Sequence, residues 1–347
     1  MRGAEMLLLV LMLLLGLTLC LGFVFNNSET ELYDGDPCTL SNGGIGQCQL
    51  MTKCGKPFSD FKRTYGFIGL DPIVCCDVVR RQCEGVDRRT SKNLIPHIVG
   101  NAEKADVGEF PFIALITYRY RSEADEEVPH IRCGAALVSK RFLLTAAHCI
   151  INDTNLVIYS VKLGTVDADD PQADSYLIDT VYRHESFKRR QNDIGIVKLV
   201  EDVSLNANIK PICIYTNPED LSESMDLTVM GWGEANGEVS DVLLKGTVQP
   251  MSRTTCQARF DIGSQRIIKL QDTHVCALGG KNENGTATDT CQGDSGGPMV
   301  LEEDDEKYLV AIVSTGGGCG AEHYAGVYTR VYHFLPWIIE KGVFRNP

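Results

Sequence analysis

From Ile98 to the end the chain alternates between short apolar or alternating runs and polar turns. The runs are "FIALITYRY", "GAALVS", "RFLLTAAHC", "VIYSVKLG", "DIGIVKL", "DLTVMGWG", "YLVAIVST" and "GVYTRV". They are rich in β-branched and aromatic residues and too short for helices, so they predict strands; many short strands at regular spacing predict an antiparallel barrel or sandwich. The final run, "FLPWIIEKGVF", has the spacing of a helix, with Pro336 in its first turn, where a missing N–H costs nothing. No internal repeat is visible. Before Ile98 the texture changes. Cys38, Cys48, Cys54, Cys75 and Cys76 crowd a stretch full of Gly, Pro and Asn turns. So short a segment cannot bury a sufficient core, and bridges must hold it together. A polar stretch from Val78 to His97, containing "RRTSK" and Cys83, reads as a linker.

The opening "MRGAEMLLLVLMLLLGLTLCLG" has one Arg, an apolar run and then small residues. This is the pattern of a secretory signal peptide cleaved after about Gly22. The alternative is a retained anchor, for which the apolar run is near the lower length limit. The predicted organisation is therefore a signal peptide at 1–22, a cysteine-rich module at 23–77, a linker at 78–97 and a large β domain at 98–347.

Composition narrows the function. Of 347 residues, 44% are hydrophobic and 23% charged, as in an ordinary globular protein. A net charge of −13 argues against nucleic acid as a partner, because phosphate binding needs clustered Lys and Arg. The acidity is concentrated in "EADEE" (123–127), "DADD" (167–170) and "EEDDE" (302–306), either as solvated loops or as a docking surface for a basic partner. Of fourteen cysteines, Cys20 leaves with the signal peptide and thirteen remain, an odd number. Such density in a secreted chain means a disulfide framework. Sequons at Asn26, Asn152 and Asn284 fit the same route. His130, His184, His274, His323 and His333 show no metal-ligand spacing, so neither a metal nor a cofactor is expected.

Three islands in the large domain carry chemistry: His148 in "LTAAHC", Asp193 in "NDIGIVKL" and Ser295 in "DTCQGDSGGP". A serine hydroxyl attacks only when a base takes its proton; an imidazole can do this near neutral pH if a carboxylate holds its tautomer. Singly, a His beside a Cys reads as structural and a Gly-rich Ser loop as a turn. Together and in this order, the islands resemble those of trypsin-family (chymotrypsin-fold) serine proteases over the whole of 98–347. The resemblance implies two six-stranded antiparallel β-barrels with a C-terminal helix and the site between the barrels. It implies His148 as general base, Asp193 as its orienting carboxylate and Ser295 as nucleophile. It also implies an oxyanion hole from the backbone N–H groups of Gly293 and Ser295.

The same resemblance makes Ile98 a second beginning. Cutting after His97 would free an α-amine that pairs with Asp294. Asp289, six residues before Ser295, matches the floor of a pocket for Arg or Lys, while Ser314, Gly316 and Gly326 match its substrate-binding wall; the bland alternative for Asp289 is a surface residue in "TATDTC". Thr315 stands where family members usually have an aromatic. Thr165 stands where calcium-binding members have an acid, so calcium is not expected. An enzyme selecting Arg or Lys should not cut after His97, so an upstream protease of different specificity is expected to activate it.

"PCTLSNGGIGQCQLMTKCGKPFSDFKRTYGFIGLDPIVCC" resembles the clip domain that precedes arthropod trypsin-like proteases, in the spacing of its first three cysteines and the closing Cys75-Cys76 pair. His97 before the cut resembles the C subgroup of that family. The family's fourth cysteine falls at Tyr65 here. Family pairing implies Cys38–Cys75, Cys54–Cys76, Cys83–Cys213, Cys133–Cys149, Cys256–Cys276 and Cys291–Cys319. Cys48 is then left over, as a buried inert thiol, an intermolecular bridge or an alternative pairing within the clip. The expected protein is a secreted haemolymph zymogen: monomeric, held as two disulfide-linked chains after activation, with no nucleic-acid or membrane partner. Its expected partners are clip-protease zymogens as substrates, an activating protease and a serpin inhibitor, in a melanisation or Toll-type cascade. Two rivals are a non-catalytic clip-domain homologue, which typically loses the serine, and a digestive trypsin, which fits neither the clip nor the His97 junction.

Overall fold

The structure, a computed structural model, describes residues 32–55, 58–84, 103–120, 132–151, 156–235, 238–262, 269–279, 294–315 and 325–344. Strands β1 (Pro37–Thr39), β2 (Ile45–Leu50), β3 (Ser59–Ile68) and β4 (Asp71–Cys76) form a small sheet in the order β1-β2-β4-β3. Cys75 and Cys76 are neighbours on β4, and successive strand residues face opposite sides. One therefore reaches Cys38 on β1 and the other Cys54, at the end of the helical turn Met51–Cys54. Cys48 lies opposite Cys75 in the β2–β4 register, buried and free. Burial, with Asp36 and Asp34 nearby, pushes its thiol up to about 12.

The stretch read as a linker begins as a helix, Val78–Glu84. Val78, Val79 and Cys83 point inward and are buried. The polar composition of 78–97 as a whole masks this apolar beginning. The helix packs against β12 (Cys213–Ile214), where the Cys83–Cys213 disulfide fastens it. On the other side, the C-terminal helix Leu335–Glu340 packs against β1 and β2. Cys54, Val74, Cys76, Val78 and Val79 thus join one hydrophobic core with Leu335, Ile338 and Ile339.

Two barrels make up the remainder. The first closes in the order β10-β11-β8-β7-β6-β9. Its strands are β6 (Ile113–Tyr120), β7 (Cys133–Leu137), β8 (Phe142–Thr145), β9 (Leu156–Leu163), β10 (Asp174–Arg183) and β11 (Gly195–Leu199). The second is built from β13 (Leu227–Gly231), β16 (Leu244–Met251), β17 (His274–Gly279), β18 (Pro298–Glu303), β19 (Glu306–Thr315) and β20 (Gly326–Arg330). It runs β19-β18-β13-β16-β17-β20 and closes by pairing β20 with β19. Closure removes the open edges that a sheet would otherwise expose. The short β5 (Glu103–Lys104) pairs with β16, β12 adds in parallel to β19, and β14 (Glu234–Ala235) pairs with β15 (Glu238–Val239). A further helix, Arg253–Ile262, buries Cys256 and Phe260, one turn apart, and is bridged to β17 by Cys256–Cys276. Cys133 on β7 is bridged to Cys149. Among the described residues no helix is long and apolar enough to cross a membrane.

A thiol this buried and this high in pKa has little thiolate at mild pH, and the thiolate is the reactive form. Cys48 is expected to react with a disulfide reagent about a thousandfold more slowly in the folded protein than in denaturant. Stopped-flow thiol titration of the disulfide-intact chain checks this, and a rapid native reaction would contradict it.

Candidate active site

Strand register brings the first two predicted site residues together. In the β8–β11 pair, Thr145 stands opposite Gly195. His148 follows Thr145 by three residues, on the 3-10 turn Ala147–Cys149, and Asp193 precedes Gly195 by two. Both side chains therefore leave the same end of one strand pair. His148 Nδ1 lies 2.7 Å from Asp193 Oδ2, and the His148 backbone N–H donates to Oδ1 at 3.0 Å. The second barrel supplies a third donor: the Ser314 hydroxyl, on β19, donates to Oδ2 at 2.5 Å. The Thr329 hydroxyl, on β20, donates to the Asp193 backbone carbonyl at 2.9 Å.

The Asp193 side chain is 0% exposed. Burial alone would push its carboxyl up, but the hydrogen bond and charge of His148 and the hydrogen bond of Ser314 outweigh it, and the group sits below its ordinary value. An ionised carboxylate only accepts, so Nδ1 of His148 carries the proton and Nε2 keeps its lone pair. The imidazole is thereby held in the tautomer of a base.

Ser295 sits on the loop entering β18. Its backbone carbonyl accepts from the Gly134 N–H on β7 at 2.8 Å, pinning this loop of the second barrel onto the first. Glycine is required here. A side chain on Gly134 would press within 2.8 Å of the Gly297 Cα, and one on Gly296 would collide with the Thr145 hydroxyl and the Gly134 carbonyl. Gly296 also has φ of 78°, a left-handed conformation that side chains rarely adopt. Its N–H donates to the Val313 carbonyl at 2.9 Å, and the Val313 N–H donates to Gly297 at 2.9 Å.

Asp294, one residue before Ser295, lays its carboxylate between Gly231 and Gly233. The Gly233 N–H donates to Oδ1 at 2.8 Å, and a Cβ on Gly233 would lie 2.6 Å from the carboxylate. The intervening Trp232 is buried and its indole N–H donates to the Val166 carbonyl at 3.0 Å.

Ser314, expected on the substrate wall, lies on β19 with its hydroxyl on Asp193, and its carbonyl accepts from Arg190 Nη1 at 3.3 Å. Gly326 opens β20 and is buried. His97, Ile98, Asp289, Gly293, Cys291, Gly316, Cys319, Asn26, Asn152 and Asn284 lie outside the described residues. Thr329 and Gly134 were missed by sequence reasoning, because their contributions are contacts across 136 and 161 positions (329 − 193 and 295 − 134) that no local pattern announces.

The trypsin family model matches residues 98–338. Phenoloxidase-activating enzyme 1 of Spodoptera litura is 29% identical over 87% of this chain and 92% of its own length. CLIP domain-containing serine protease C9 of Anopheles gambiae is 30% identical over 96% of this chain and 92% of its own. Proclotting enzyme of Tachypleus tridentatus is 29% identical over 80% of each.

Replacing Gly296 by Ala combines a left-handed side chain with two collisions. It is expected to destabilise the protein by about 2–4 kcal/mol, a fall in Tm of roughly 5–15 °C. Calorimetry checks this, and an unchanged Tm would show that the loop yields more easily than its contacts suggest.

Proposed function

Because the chain belongs to the trypsin family and is a clip-domain serine endopeptidase, we propose that it is a secreted zymogen switched on by cleavage between His97 and Ile98. The enzyme then cuts after Arg or Lys in the zymogens of downstream clip proteases, within an extracellular arthropod cascade such as melanisation or Toll-type signalling. The observation that carries the catalytic part of this reading is the buried Asp193 carboxylate, which holds His148 Nδ1 at 2.7 Å. The names of relatives, a phenoloxidase-activating enzyme and a proclotting enzyme, support the cascade part.

In this reading His148 Nε2 takes the proton of Ser295 as its oxygen attacks the scissile carbonyl. The backbone N–H groups of Gly293 and Ser295 bind the oxyanion, each contributing about 10²–10³ in rate. The imidazolium gives its proton to the leaving amine, and water releases the acyl-enzyme by the reverse sequence. Asp289 at the pocket floor pairs with the substrate cation, because a buried carboxylate is stable only when compensated. Gly316 and Gly326 leave room for its long side chain.

The switch follows from the position of Asp294, whose carboxylate sits one residue from the nucleophile. The new α-amine of Ile98 pairs with it, and a buried pair missing one partner costs about 3–5 kcal/mol. Before cleavage the Gly293 loop lacks that support. His97 is a poor residue for a pocket built for Arg or Lys, so a different protease makes the cut. The Cys83–Cys213 disulfide then keeps the two chains together. A serpin is the expected inhibitor.

The test is a zymogen whose His97 end is replaced by a tag-protease site that leaves Ile98 as the new terminus. Activity is expected only after cutting and on Arg or Lys peptides but not Leu or Phe, with none in Ser295→Ala. No activity after confirmed cleavage would favour a scaffold role instead. In the activated enzyme, Asp193→Asn reverses the tautomer preference of His148 and is expected to lower kcat about 10⁴-fold with KM little changed, as steady-state kinetics will show.

A further inference from the structure

Just before Asp193 the chain makes a tight hairpin. Lys188 and Gln191 exchange backbone hydrogen bonds of 3.1 and 2.9 Å, and between them Arg189 and Arg190 have φ of 51° and 68°. Such turns prefer Asn-Gly, because both central residues are left-handed. Here two long cationic side chains occupy them at a cost in backbone energy. The Arg190 guanidinium crosses to β19 and touches the carbonyl of Ser314, whose hydroxyl holds the catalytic carboxylate. The Arg190 carbonyl faces His274 Nε2 at 3.4 Å. The turn thus reaches across to the second barrel beside the Ser314–Asp193 contact.

Among the described residues these charges are not neutralised locally. Acids outnumber bases in the chain by 46 to 33, yet Lys188, Arg189 and Arg190 have no carboxylate within ion-pair distance among the described residues. Glu185 is occupied by Lys341 at 2.7 Å and by the Trp337 indole N–H at 2.8 Å. Asp193 is buried and fully engaged. Arg183 stacks on Phe187. A guanidinium has five N–H donors, and among the described residues Arg190 commits one of them, at 3.3 Å, to Ser314.

We propose that Arg190 is a specificity-determining residue and that the cleft selects protein substrates with an Asp or Glu flanking the basic residue at the cut. This rests on the reading of the site as an Arg- or Lys-directed endopeptidase. A substrate carboxylate forms a charge-assisted, bidentate pair with the free edge of the guanidinium, which the Ser314 carbonyl holds in position. Lys188 and Arg189 add a longer-range attraction that speeds encounter with an acidic segment and fades with salt. A basic neighbour beside the cut residue is repelled by the same group.

The test compares activated wild type, Arg190→Glu, Arg190→Gln and Arg190→Lys on peptides with one fixed Arg. The two residues on each side of the cut are varied among Asp, Gln and Lys. Wild type is expected to favour Asp over Gln at one flanking position by about fivefold in kcat/KM, with the ratio shrinking as salt rises. Arg190→Lys keeps the order, Arg190→Gln brings the ratio near one, and Arg190→Glu reverses it. Should Arg190→Glu fail to fold, by its thermal transition, the Gln variant carries the comparison. An equal Asp-to-Gln ratio in wild type and variants, or a uniform loss across all peptides, overturns the proposal and leaves Arg190 as a structural tie. Failure of activated wild type on every Arg and Lys peptide overturns the underlying functional reading instead.

Discussion

The side chain of Asp193 lies wholly buried where the two barrels meet, and its ionised carboxylate is taken from water only because three donors replace that water. Two of them belong to His148 of the first barrel, and one to Ser314 of the second. An unpaired carboxylate in such a place would cost several kcal/mol. The barrels therefore cannot separate, or slide by a residue, without stranding this charge. The carboxylate that fixes the imidazole's tautomer also accepts the hydrogen bond from Ser314 that ties the second barrel to the first. Catalytic geometry and domain assembly are here a single constraint.

The same seam explains the glycines. Where Gly134 of the first barrel meets Gly297 of the second, the backbones approach so closely that no Cβ fits. The hydrogen bond from Gly134 to the Ser295 carbonyl runs across that close approach. Asp294 and Ser295 thus lie on a loop braced on one side by the first barrel and on the other by the Gly231 to Gly233 turn, where the Gly233 N–H holds Asp294. In the proposed switch, a carboxylate in the second brace would let cleavage of a distant bond act on Ser295, which that bond does not touch.

Much of this was legible in the sequence where local pattern and tertiary environment agree. The runs containing Ile113–Tyr120, Gly195–Leu199 and Leu227–Gly231 are apolar because both faces are covered, and each is a strand. Asp174–Arg183 is as long as any strand here but shows exposed Leu177 and Val181 and polar neighbours, so its apolar signal is diluted. Leu244–Met251 carries Gly246 and Pro250, residues that argue against a strand when taken alone. Among its described residues the helix Arg253–Ile262 buries Cys256 and Phe260, and it has almost no apolar stripe to betray it. The candidate site divides along the same line. His148, Asp193 and Ser295 stand in dense local motifs, whereas the turn of the Ser314 hydroxyl toward Asp193 and the reach of Arg190 to Ser314 join positions more than a hundred residues apart.

The clip module shares a core with the C-terminal helix and the Val78–Glu84 helix, in addition to the disulfide at Cys83. In the proposed two-chain enzyme the light chain would then be closer to a subunit than to a tether. Its departure would bare Leu335, Ile338 and Ile339 to water, so losing the clip and destabilising the protease become one event. For a large partner the packing has a second meaning. On the proposed reading, a protein that gripped the clip while its scissile segment entered the site would find both footholds at a spacing already set. Little ordering entropy is lost at the second contact, and the effective concentration of the segment at the site rises without any new bond.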